Sequence, residues 1–378
     1  MKRIIALILI LPLVLTGCVR TEELRDRGII QCFGVDFKNN IYYVTLQVFN
    51  NNVADGGSEN KESNSKILTG SGETISEAVY NAGNSCGKLI FIGNCKIIII
   101  GKQAAMESIE QIFGYFNGDY QTRVKTKVLV CNTTANEFVC SKSSDGKLIS
   151  AQEIADIAQA AEEMGTIGDS NIIHSVAALN NNIQSGFLLG YVSSTSKNDS
   201  VSCEIIGNVM FINDKYIGII NRSESRGASW INAKIPWTIL TSQKSNSENV
   251  SIIAKNSSSN VKCKLVDGKL IFDINVKFSG NLSEIVQKDQ TGATLKDLKE
   301  IGDICANEAQ EEIVSAIQKT VIENGCDVFD FNEYASLKYS RFVQKNADNW
   351  SDIIKKSKFN VIVSCNLDRM AFEGEHAN

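Results

Sequence analysis

The chain has 378 residues, of which 43% are hydrophobic and 21% charged, and its formal net charge is −5. These values are typical of a globular protein, and the length predicts two or three domains. The acidic balance and the lack of a Lys/Arg-rich block argue against nucleic acid as a partner. They also argue against a patch attracted to anionic lipid headgroups, so any membrane attachment needs another cause.

The chain opens with the pattern of a bacterial lipoprotein signal peptide. Lys2 and Arg3 precede an apolar run, Ile4–Leu15, which is shorter than the roughly 20 residues needed to cross a bilayer. Leu15-Thr16-Gly17-Cys18 then resembles a lipobox, in which the cysteine thiol accepts a diacylglycerol. We predict that residues 1–17 are removed and that Cys18 carries the lipid, with palmitate among its acyl chains. The alternative is an ordinary signal peptide or a buried helix with a chance cysteine.

A β-hairpin is predicted next, because two β-rich runs, Gly28–Phe37 and Ile41–Phe49, flank a turn containing Asn39 and Asn40. The polar segment 50–66 predicts an exposed loop. Strands and helices then alternate, as in an α/β layer. The predicted elements are a strand at 66–72, a helix through Ile75 and Ala82, a buried strand at 94–101, a helix at 104–116, a strand at 123–131, a helix capped by Thr133 or Thr134, helices within 150–184, and a strand at 186–192.

A linker is predicted at Ser193–Ser200, which is short and polar and has no apolar anchor. We therefore expect an N-terminal domain over residues 18–195 and a C-terminal domain over residues 201–370. The C-terminal part begins with two predicted strands joined at Asn213-Asp214, followed by a short helix over residues 223–234.

The rest of the second domain is predicted to be antiparallel strands, with a turn at Asp267-Gly268, packed on a long helix at about 295–323. Thr294 and Asp297 predict the start of this helix and Gly325 its end. A final strand is predicted at Phe359–Leu367. The expected fold class is therefore α+β or mixed α/β with more than one domain: an N-terminal mixed sheet with helices, and a C-terminal antiparallel sheet packed on a long helix.

No pattern of catalytic, cofactor-binding or metal-ligating residues is recognisable. The two histidines, His174 and His376, lie on a helical segment and in a polar tail, and His174 is predicted to be a core or surface residue. The eleven cysteines include no CxxC pair, so they predict small buried side chains, with structural disulfides as the alternative. The acidic pairs Glu162-Glu163 and Glu311-Glu312 predict solvated helix faces.

Several blocks, in this order, resemble the Ger(x)C lipoproteins, the C subunits of spore germinant receptors. The resemblance spans nearly the whole chain, although Val19-Arg20 replaces the Trp-Asp common in the family after the lipid cysteine. The blocks are the lipobox, the step Gly34-Val35-Asp36, the segment Gly87–Gln103, the segment Gly207–Ile235, which includes Phe211, Gly218, Glu224-Ser225-Arg226-Gly227 and Trp230, and the segment Val276–Ile285.

This resemblance implies a non-enzymatic lipoprotein on the outer face of the spore inner membrane, assembled with an integral membrane A subunit and a transporter-like B subunit. Nutrient germinants would then trigger ion release. Glu224, Arg226, Gly227 and Trp230 are a candidate partner surface; the alternative is packing, with Arg226 bound to a carboxylate or carbonyl and Trp230 in the core. A solute-binding lipoprotein that captures a small nutrient is the alternative function, and a cell-wall enzyme is disfavoured by the scarcity of histidine.

Overall fold

A computed structural model describes residues 27–49, 65–142, 146–197, 200–245, 248–286 and 295–368. The elements up to residue 221 are, in chain order, β1 (Arg27–Lys38), β2 (Ile41–Phe49), β3 (Ser65–Gly72), α1 (Ile75–Asn84), β4 (Leu89–Phe91), β5 (Ile97–Ile100), α2 (Lys102–Glu107), α3 (Ile109–Gly118), β6 (Lys127–Cys131), α4 (Ala135–Val139), α5 (Ala151–Glu163), α6 (Ile172–Leu179), β7 (Gly186–Lys197), β8 (Ser200–Ile212) and β9 (Lys215–Asn221). The elements that follow are α7 (Arg222–Ile231), β10 (Trp237–Ser245), β11 (Glu248–Val266), β12 (Lys269–Val286), α8 (Leu295–Ile317), a π-helical turn (Gln318–Glu323), α9 (Phe331–Lys345), a 3₁₀ turn (Ala347–Asn349), α10 (Trp350–Lys355) and β13 (Lys358–Asp368).

The predicted first hairpin is confirmed, and its turn explains the register. Lys38 pairs with Ile41, so Asn39 and Asn40 form a two-residue loop. Both have positive φ, 53° and 61°, which is the geometry of the turn that matches the twist of a hairpin. Apart from glycine, asparagine is one of the residues that most often adopt this left-handed conformation. The hairpin thereby pairs β1 with β2 from Lys38 back to Ile30, with one register shift between Ile30 and Cys32.

The first sheet has a parallel centre covered on both faces. Its order is β3-β2-β1-β5-β6-β7-β8-β9, with β4 also paired to β1, and β1, β5, β6 and β7 are parallel. Strand β5 is fully buried, as predicted from its continuous apolar run. Ile98 and Ile100 belong to a core shared with α1, α2, α3 and α6, whereas Ile97 and Ile99 belong to a second core with α4 and α5. Since alternate side chains face opposite sides of a strand, the two helix groups cover opposite faces.

The helix predicted over residues 104–116 is wrong in one respect, because the structure breaks it into α2 and α3 at Ser108. Ser108 has φ −146° and ψ 21°, outside the helical region, and its buried hydroxyl lies 2.6 Å from the hydroxyl of Tyr42 on β2. A serine hydroxyl can form a hydrogen bond outside its own helix. Here its partner is Tyr42 of β2, and the helix breaks at this contact.

The linker predicted at Ser193–Ser200 is wrong for the residues that the structure describes. Strands β7 and β8 continue as an antiparallel pair up to Lys197 and Ser200, and Ser194 pairs with Cys203. Strands β8 and β9 then extend the first sheet beyond the predicted boundary. Polar side chains do not prevent pairing, since the ladder is made by backbone groups that every one of these residues carries. The domain boundaries at 195 and 201 stay a prediction.

The second sheet has the order β10-β11-β12-β13 and packs its inner face on α7 and α8. The fold class is confirmed as a mixed multidomain α+β architecture, with one difference: β13 is parallel to β12, whereas an antiparallel sheet was expected. A parallel neighbour needs a crossover, and α8, α9 and α10 supply it. The sequence patterns also missed β10 and α9.

The long helix is confirmed by burial of its predicted apolar stripe. The α-helical part ends at Ile317 and continues as the π-helical turn, and Gly325 ends the segment with φ 68°. Thr294 and the side chain of Asp297 lie outside the part of the chain that the structure describes. The buried stripe consists of Leu298, Ile301, Cys305, Ala309, Ile313, Ile317 and Val321.

Cysteines are buried or half-buried free thiols wherever the structure describes them. All ten are unpaired, and six of them are buried, which matches the predicted role as small apolar side chains rather than the disulfide alternative. Burial raises the pKa of the Cys95, Cys131 and Cys203 thiols to about 12. These thiols are therefore protonated at neutral pH and poor nucleophiles.

Candidate functional site

Helix α7 carries the four residues predicted as a partner surface, and its first turn is locally determined. Asn221 caps the helix by accepting from the backbone N–H of Glu224 at 2.9 Å, and the Glu224 carboxylate accepts from the Asn221 N–H at 2.8 Å. This reciprocal capping box satisfies two of the N–H groups that every helix start leaves unpaired. Glu224 therefore has a structural role in starting α7 directly after β9.

Gly227 lets α7 approach α8 at backbone distance. A Cβ atom at position 227 would overlap the main-chain oxygen of Glu312 and press on the methyl group of Ala316. Glycine is required here by the close approach of the two helices, since any larger residue would push them apart.

Glu312 joins three elements through one buried carboxylate. Its side chain is 3% exposed and accepts from Arg226 Nε, 3.0 Å from each oxygen, from Arg226 Nη2, and from Trp230 Nε1 at 3.0 Å. The remaining guanidinium nitrogen, Nη1, donates to the Ile239 carbonyl of β10 at 3.3 Å. A two-point pairing of guanidinium and carboxylate fixes orientation as well as distance. The contact thus ties α7, α8 and β10 together.

Trp230 lies in the core that the second sheet forms with α7 and α8. It is fully buried and stacks on Phe278 of β12, with ring centroids 4.8 Å apart. Its indole N–H needs a partner when buried, and Glu312 supplies one. With Trp230 and Gly227 buried and Arg226 and Glu224 half-buried, these residues make the intramolecular contacts of the packing alternative. A partner surface at α7 stays a prediction.

Asp327 is a second buried carboxylate, and no sequence pattern singled it out. It accepts from the backbone N–H groups of Phe331 and Asn332, both at 3.0 Å, and from Trp350 Nε1 at 2.8 Å. A third N–H, that of Phe329, donates at 3.3 Å. Burial raises the pKa of Asp327 to about 6, against the lowering effect of these hydrogen bonds. The carboxylate orders the start of α9 and anchors α10. A lone acid within the apolar run Cys326–Phe329 was the signal that could have marked it.

The junction between the two sheets is built around Asp327 and its neighbours. Gly186, the first residue of β7, donates its N–H to the Asp327 carbonyl at 3.0 Å, and the Cys326 thiol donates to the Phe211 carbonyl at 3.3 Å. A cleft of about 350 Å³ opens beside this junction. There the Asp169 carboxylate accepts from Lys234 Nζ at 2.7 Å and lies 3.4 Å from His174 Nδ1. Burial raises the pKa of Asp169, but the hydrogen bond and charge of Lys234, together with His174, lower it. The net shift of this pKa is downward.

His174 is a surface histidine, in keeping with the sequence prediction. Its side chain is half exposed, and its backbone N–H is capped by the Asn171 side chain at 3.1 Å. Within the described residues no group of three or more His, Cys, Asp or Glu side chains could hold a metal ion. His376 lies outside the described ranges.

A second, larger groove of about 1130 Å³ lies where β1 ends and β2 begins. At its base the Asp36 carboxylate accepts from the first backbone N–H groups of α4, those of Ala135 at 2.8 Å and Asn136 at 2.9 Å. Burial raises the pKa of Asp36, although these hydrogen bonds lower it. Position 101 requires glycine, because a Cβ atom there would overlap Asp36 Oδ1. The predicted step Gly34-Val35-Asp36 therefore holds α4 on the sheet.

Two family models together cover most of the chain. Residues 20–194 match the model of the spore germination protein N-terminal domain, and residues 206–371 match that of the spore germination B3/GerAC-like C-terminal domain. The chain belongs to the Ger(x)C family of spore germination proteins. The predicted family membership is thereby confirmed.

Known proteins match this Ger(x)C chain at low sequence identity. Spore germination protein B3 of Bacillus subtilis (strain 168) is 19% identical over 358 residues, which is 93% of each chain. The putative spore germination protein YfkR of the same organism is 24% identical over 136 residues, 35% of each chain. The crystal structure of the GerBC protein has the same fold, with a TM-score of 0.59 at 17% identity, and the match covers 89% of this chain and 96% of that one.

Two of the blocks that carried the Ger(x)C resemblance have a visible structural purpose here. Asp36 positions α4, and the block from Glu224 to Trp230 positions α7 against α8. Like Asp327, the buried carboxylate of Glu312 was not predicted from the sequence, where Glu312 was expected to be solvated together with Glu311. That prediction is wrong for Glu312, and also for Glu162, whose half-buried carboxylate binds Lys127 Nζ.

Proposed function

We propose that this Ger(x)C chain is the lipid-anchored, non-catalytic subunit of a nutrient germinant receptor, acting with integral membrane A and B subunits on the outer face of the spore inner membrane. Membership of a spore germination family is the observation that carries the proposal. The subunit would serve as a scaffold that transmits the germinant signal, and Cys18 would hold it at the bilayer.

The anchor is supported by the opening of the chain, where a cationic start, a short apolar run and Leu15-Thr16-Gly17-Cys18 follow one another. Two acyl chains bind a bilayer stably, because each buried methylene contributes about 0.8 kcal/mol. Residues 1–18 lie outside the described part of the chain. Across the described residues, no helix is both long enough and apolar enough to cross a membrane.

A scaffold role fits the way this chain uses its buried and half-buried acids. The carboxylates of Asp36, Glu312 and Asp327 accept hydrogen bonds from backbone N–H groups or from side chains of the same chain. A general acid or base must instead face a substrate with a proton to exchange. The polar groups that would serve chemistry in an enzyme here hold α4, α7, α8 and α9 in place.

Replacing Cys18 with alanine is expected to abolish both the lipid and the receptor activity. The Cys18→Ala protein should incorporate no radiolabelled palmitate and leave the membrane fraction, or remain uncleaved, and spores carrying it should fail to germinate with nutrients. Cys140→Ala, which alters a half-buried free thiol, is the matched control and should keep both properties. Equal labelling of the Cys18→Ala protein would contradict the anchor. Normal nutrient germination of a deletion strain without a paralogue would contradict the receptor role.

Capture of a small nutrient is a second candidate function, favoured by the groove beside Asp36. Its lining is rich in hydroxyl and amide groups, including Thr45, Thr69 and Asn136, with the exposed ring of Tyr43 at its side. Such groups exchange hydrogen bonds with small polar solutes, and an aromatic ring adds a flat contact surface.

A thermal-shift screen of the full chain against amino acids and sugars tests this candidate. A true ligand at 100 times its Kd should stabilise the protein by about 2.7 kcal/mol and raise its unfolding temperature. The shift should disappear in Tyr43→Ala and persist in Tyr80→Ala, since Tyr80 is exposed outside the groove. If no amino acid or sugar raises the temperature, solute capture in this groove is wrong.

A further inference from the structure

One edge of the first sheet collects the amino ends of three parallel strands. Arg27 begins β1 and pairs with Leu89, the first residue of β4, while Lys127 begins β6 two strands away. The loop between α3 and β6, residues 119–126, runs along the same edge. Its Gln121 side chain accepts from the Ile92 backbone N–H just after β4 at 3.1 Å. We call Lys88, Leu89, residues 119–125 and Ile173 the amino edge.

The amino edge exposes large apolar side chains that no packing in the described chain explains. Tyr120 is 93% exposed, Leu89 60%, Val124 51% and Ile173 45%. Val124 and Ile173 are adjacent, since the Ile173 N–H donates to the Val124 carbonyl at 2.9 Å. A single exposed apolar residue is ordinary, but a group of them on one edge marks a surface that contacts something apolar.

Cations accompany these apolar side chains. Arg123 and Lys125 are exposed on either side of Val124, and Lys88 lies next to Leu89. The acid of the same loop, Asp119, is half-buried and accepts from the Gln121 N–H at 2.7 Å. Tyrosine at the water boundary, aliphatic side chains beyond it and Lys or Arg around them match the interface of an anionic bilayer. The net charge of −5 conceals this local excess of cations.

The position of Cys18 supplies an independent argument. Nine residue steps separate Cys18 from Arg27, so a lipid on Cys18 can lie at most about 30 Å from the start of β1. Leu89 of the amino edge pairs with Arg27 at that start, whereas Asp36 and the groove lie nine residues further along β1, about 30 Å away at 3.3 Å per residue. A body tethered at Arg27 can therefore turn its amino edge to the bilayer while the groove points away from it.

We propose that the amino edge is a membrane-docking surface, with Tyr120, Leu89 and Val124 in the headgroup region and Arg123, Lys125 and Lys88 beside anionic phosphates. The proposal rests on the lipid anchor proposed above, which limits how far the body can move from the bilayer. Docking then fixes which end of the first sheet is available to solutes and which faces membrane partners.

Bromolipid quenching of introduced tryptophans tests the docking. Tyr120→Trp and Tyr43→Trp are matched variants, because each changes an exposed tyrosine, one on the amino edge and one beside the groove. The full lipidated chain is incorporated into vesicles of phosphatidylcholine and phosphatidylglycerol with or without brominated acyl chains. After subtraction of the parent signal, brominated lipid should reduce the Tyr120→Trp emission at least twofold and leave the Tyr43→Trp emission unchanged. Arg123→Gln with Lys125→Gln should weaken the quenching of Tyr120→Trp.

The outcomes separate the docking from the anchor. If all variants float with the vesicles but quenching is absent, or is equal at positions 120 and 43, the docking is wrong and the anchor stands. A protein that does not float with vesicles would overturn the anchor and, with it, the docking. Protection of Tyr120→Trp from quenching only when the integral subunits are present would assign the edge to a protein partner and overturn the lipid assignment.

Discussion

Replacing Glu312 with alanine is expected to lower the free energy of unfolding of the C-terminal part by about 3–5 kcal/mol. The change removes the acceptor that the half-buried Arg226 guanidinium and the buried Trp230 indole N–H share. Removing one partner of a buried ion pair costs about this much, and the lower end applies here because the remaining Arg226 charge is partly exposed. Urea denaturation followed by tryptophan fluorescence measures it, because all three tryptophans, Trp230, Trp237 and Trp350, lie in this part of the chain.

Glu311→Ala is the matched control for this experiment. Glu311 precedes Glu312 on the same helix but is exposed, so its loss should change the free energy of unfolding by less than about 0.5 kcal/mol. Glu312→Gln keeps the shape and one acceptor oxygen and should fall between the two. A loss below about 1 kcal/mol for Glu312→Ala would show that the α7–α8 contact does not depend on this carboxylate.

Asp327→Asn is expected to destabilise the protein by about 3 kcal/mol at pH 7. The amide keeps one acceptor oxygen, but its NH₂ group faces N–H donors, so at least one of the groups at Phe331, Asn332 and Trp350 is left unpaired. Asp330→Asn is the control, since Asp330 is exposed and has φ 56°, which asparagine tolerates. An equal effect of the two substitutions would contradict the role assigned to Asp327.

The same carboxyl group should make stability fall as pH rises from about 4 to 6. Burial raises the pKa of Asp327 to about 6, so within this window the folded state keeps a proton that the unfolded state has released. The contribution is fully present below the unfolded pKa of about 4 and decreases by about 1.4 kcal/mol per pH unit until the folded pKa is passed. The difference in unfolding free energy between the parent and Asp327→Asn isolates this slope. A difference that grows with pH in this window would show that the pKa is lowered.

Local elements were largely predictable because their determinants are local. The hairpins at Asn39-Asn40, Asn213 and Asp267-Gly268 follow from residues that accept positive φ, and each appears in the structure. Strand β5 follows from a run of four isoleucines, and α8 from an apolar stripe of helical period. The break at Ser108 and the pairing of Ser193–Lys197 did not follow, since both depend on a partner distant in sequence.

The burial of Glu312 did not follow from the sequence pattern. Glu312 was predicted to be solvated from its residue type. It lies three residues after Ala309 and four before Ala316, which puts it on the buried face of α8. Its partners, Arg226 and Trp230, are more than 80 positions away. A charged residue on a core stripe is a signal for such a site, but only the fold identifies the cation that meets it.

By itself the sequence determined the family, the mixed α/β class, the lipobox at Cys18 as a prediction, and most element positions, because each is written in contiguous residues or in the order of short blocks. The tertiary structure decided which acids are buried, that β13 runs parallel to β12, and that exposed apolar and cationic side chains gather at the amino edge. These properties arise from packing between residues distant along the chain. Burial, and with it the pKa and the free energy of each contact, exists only once those residues meet.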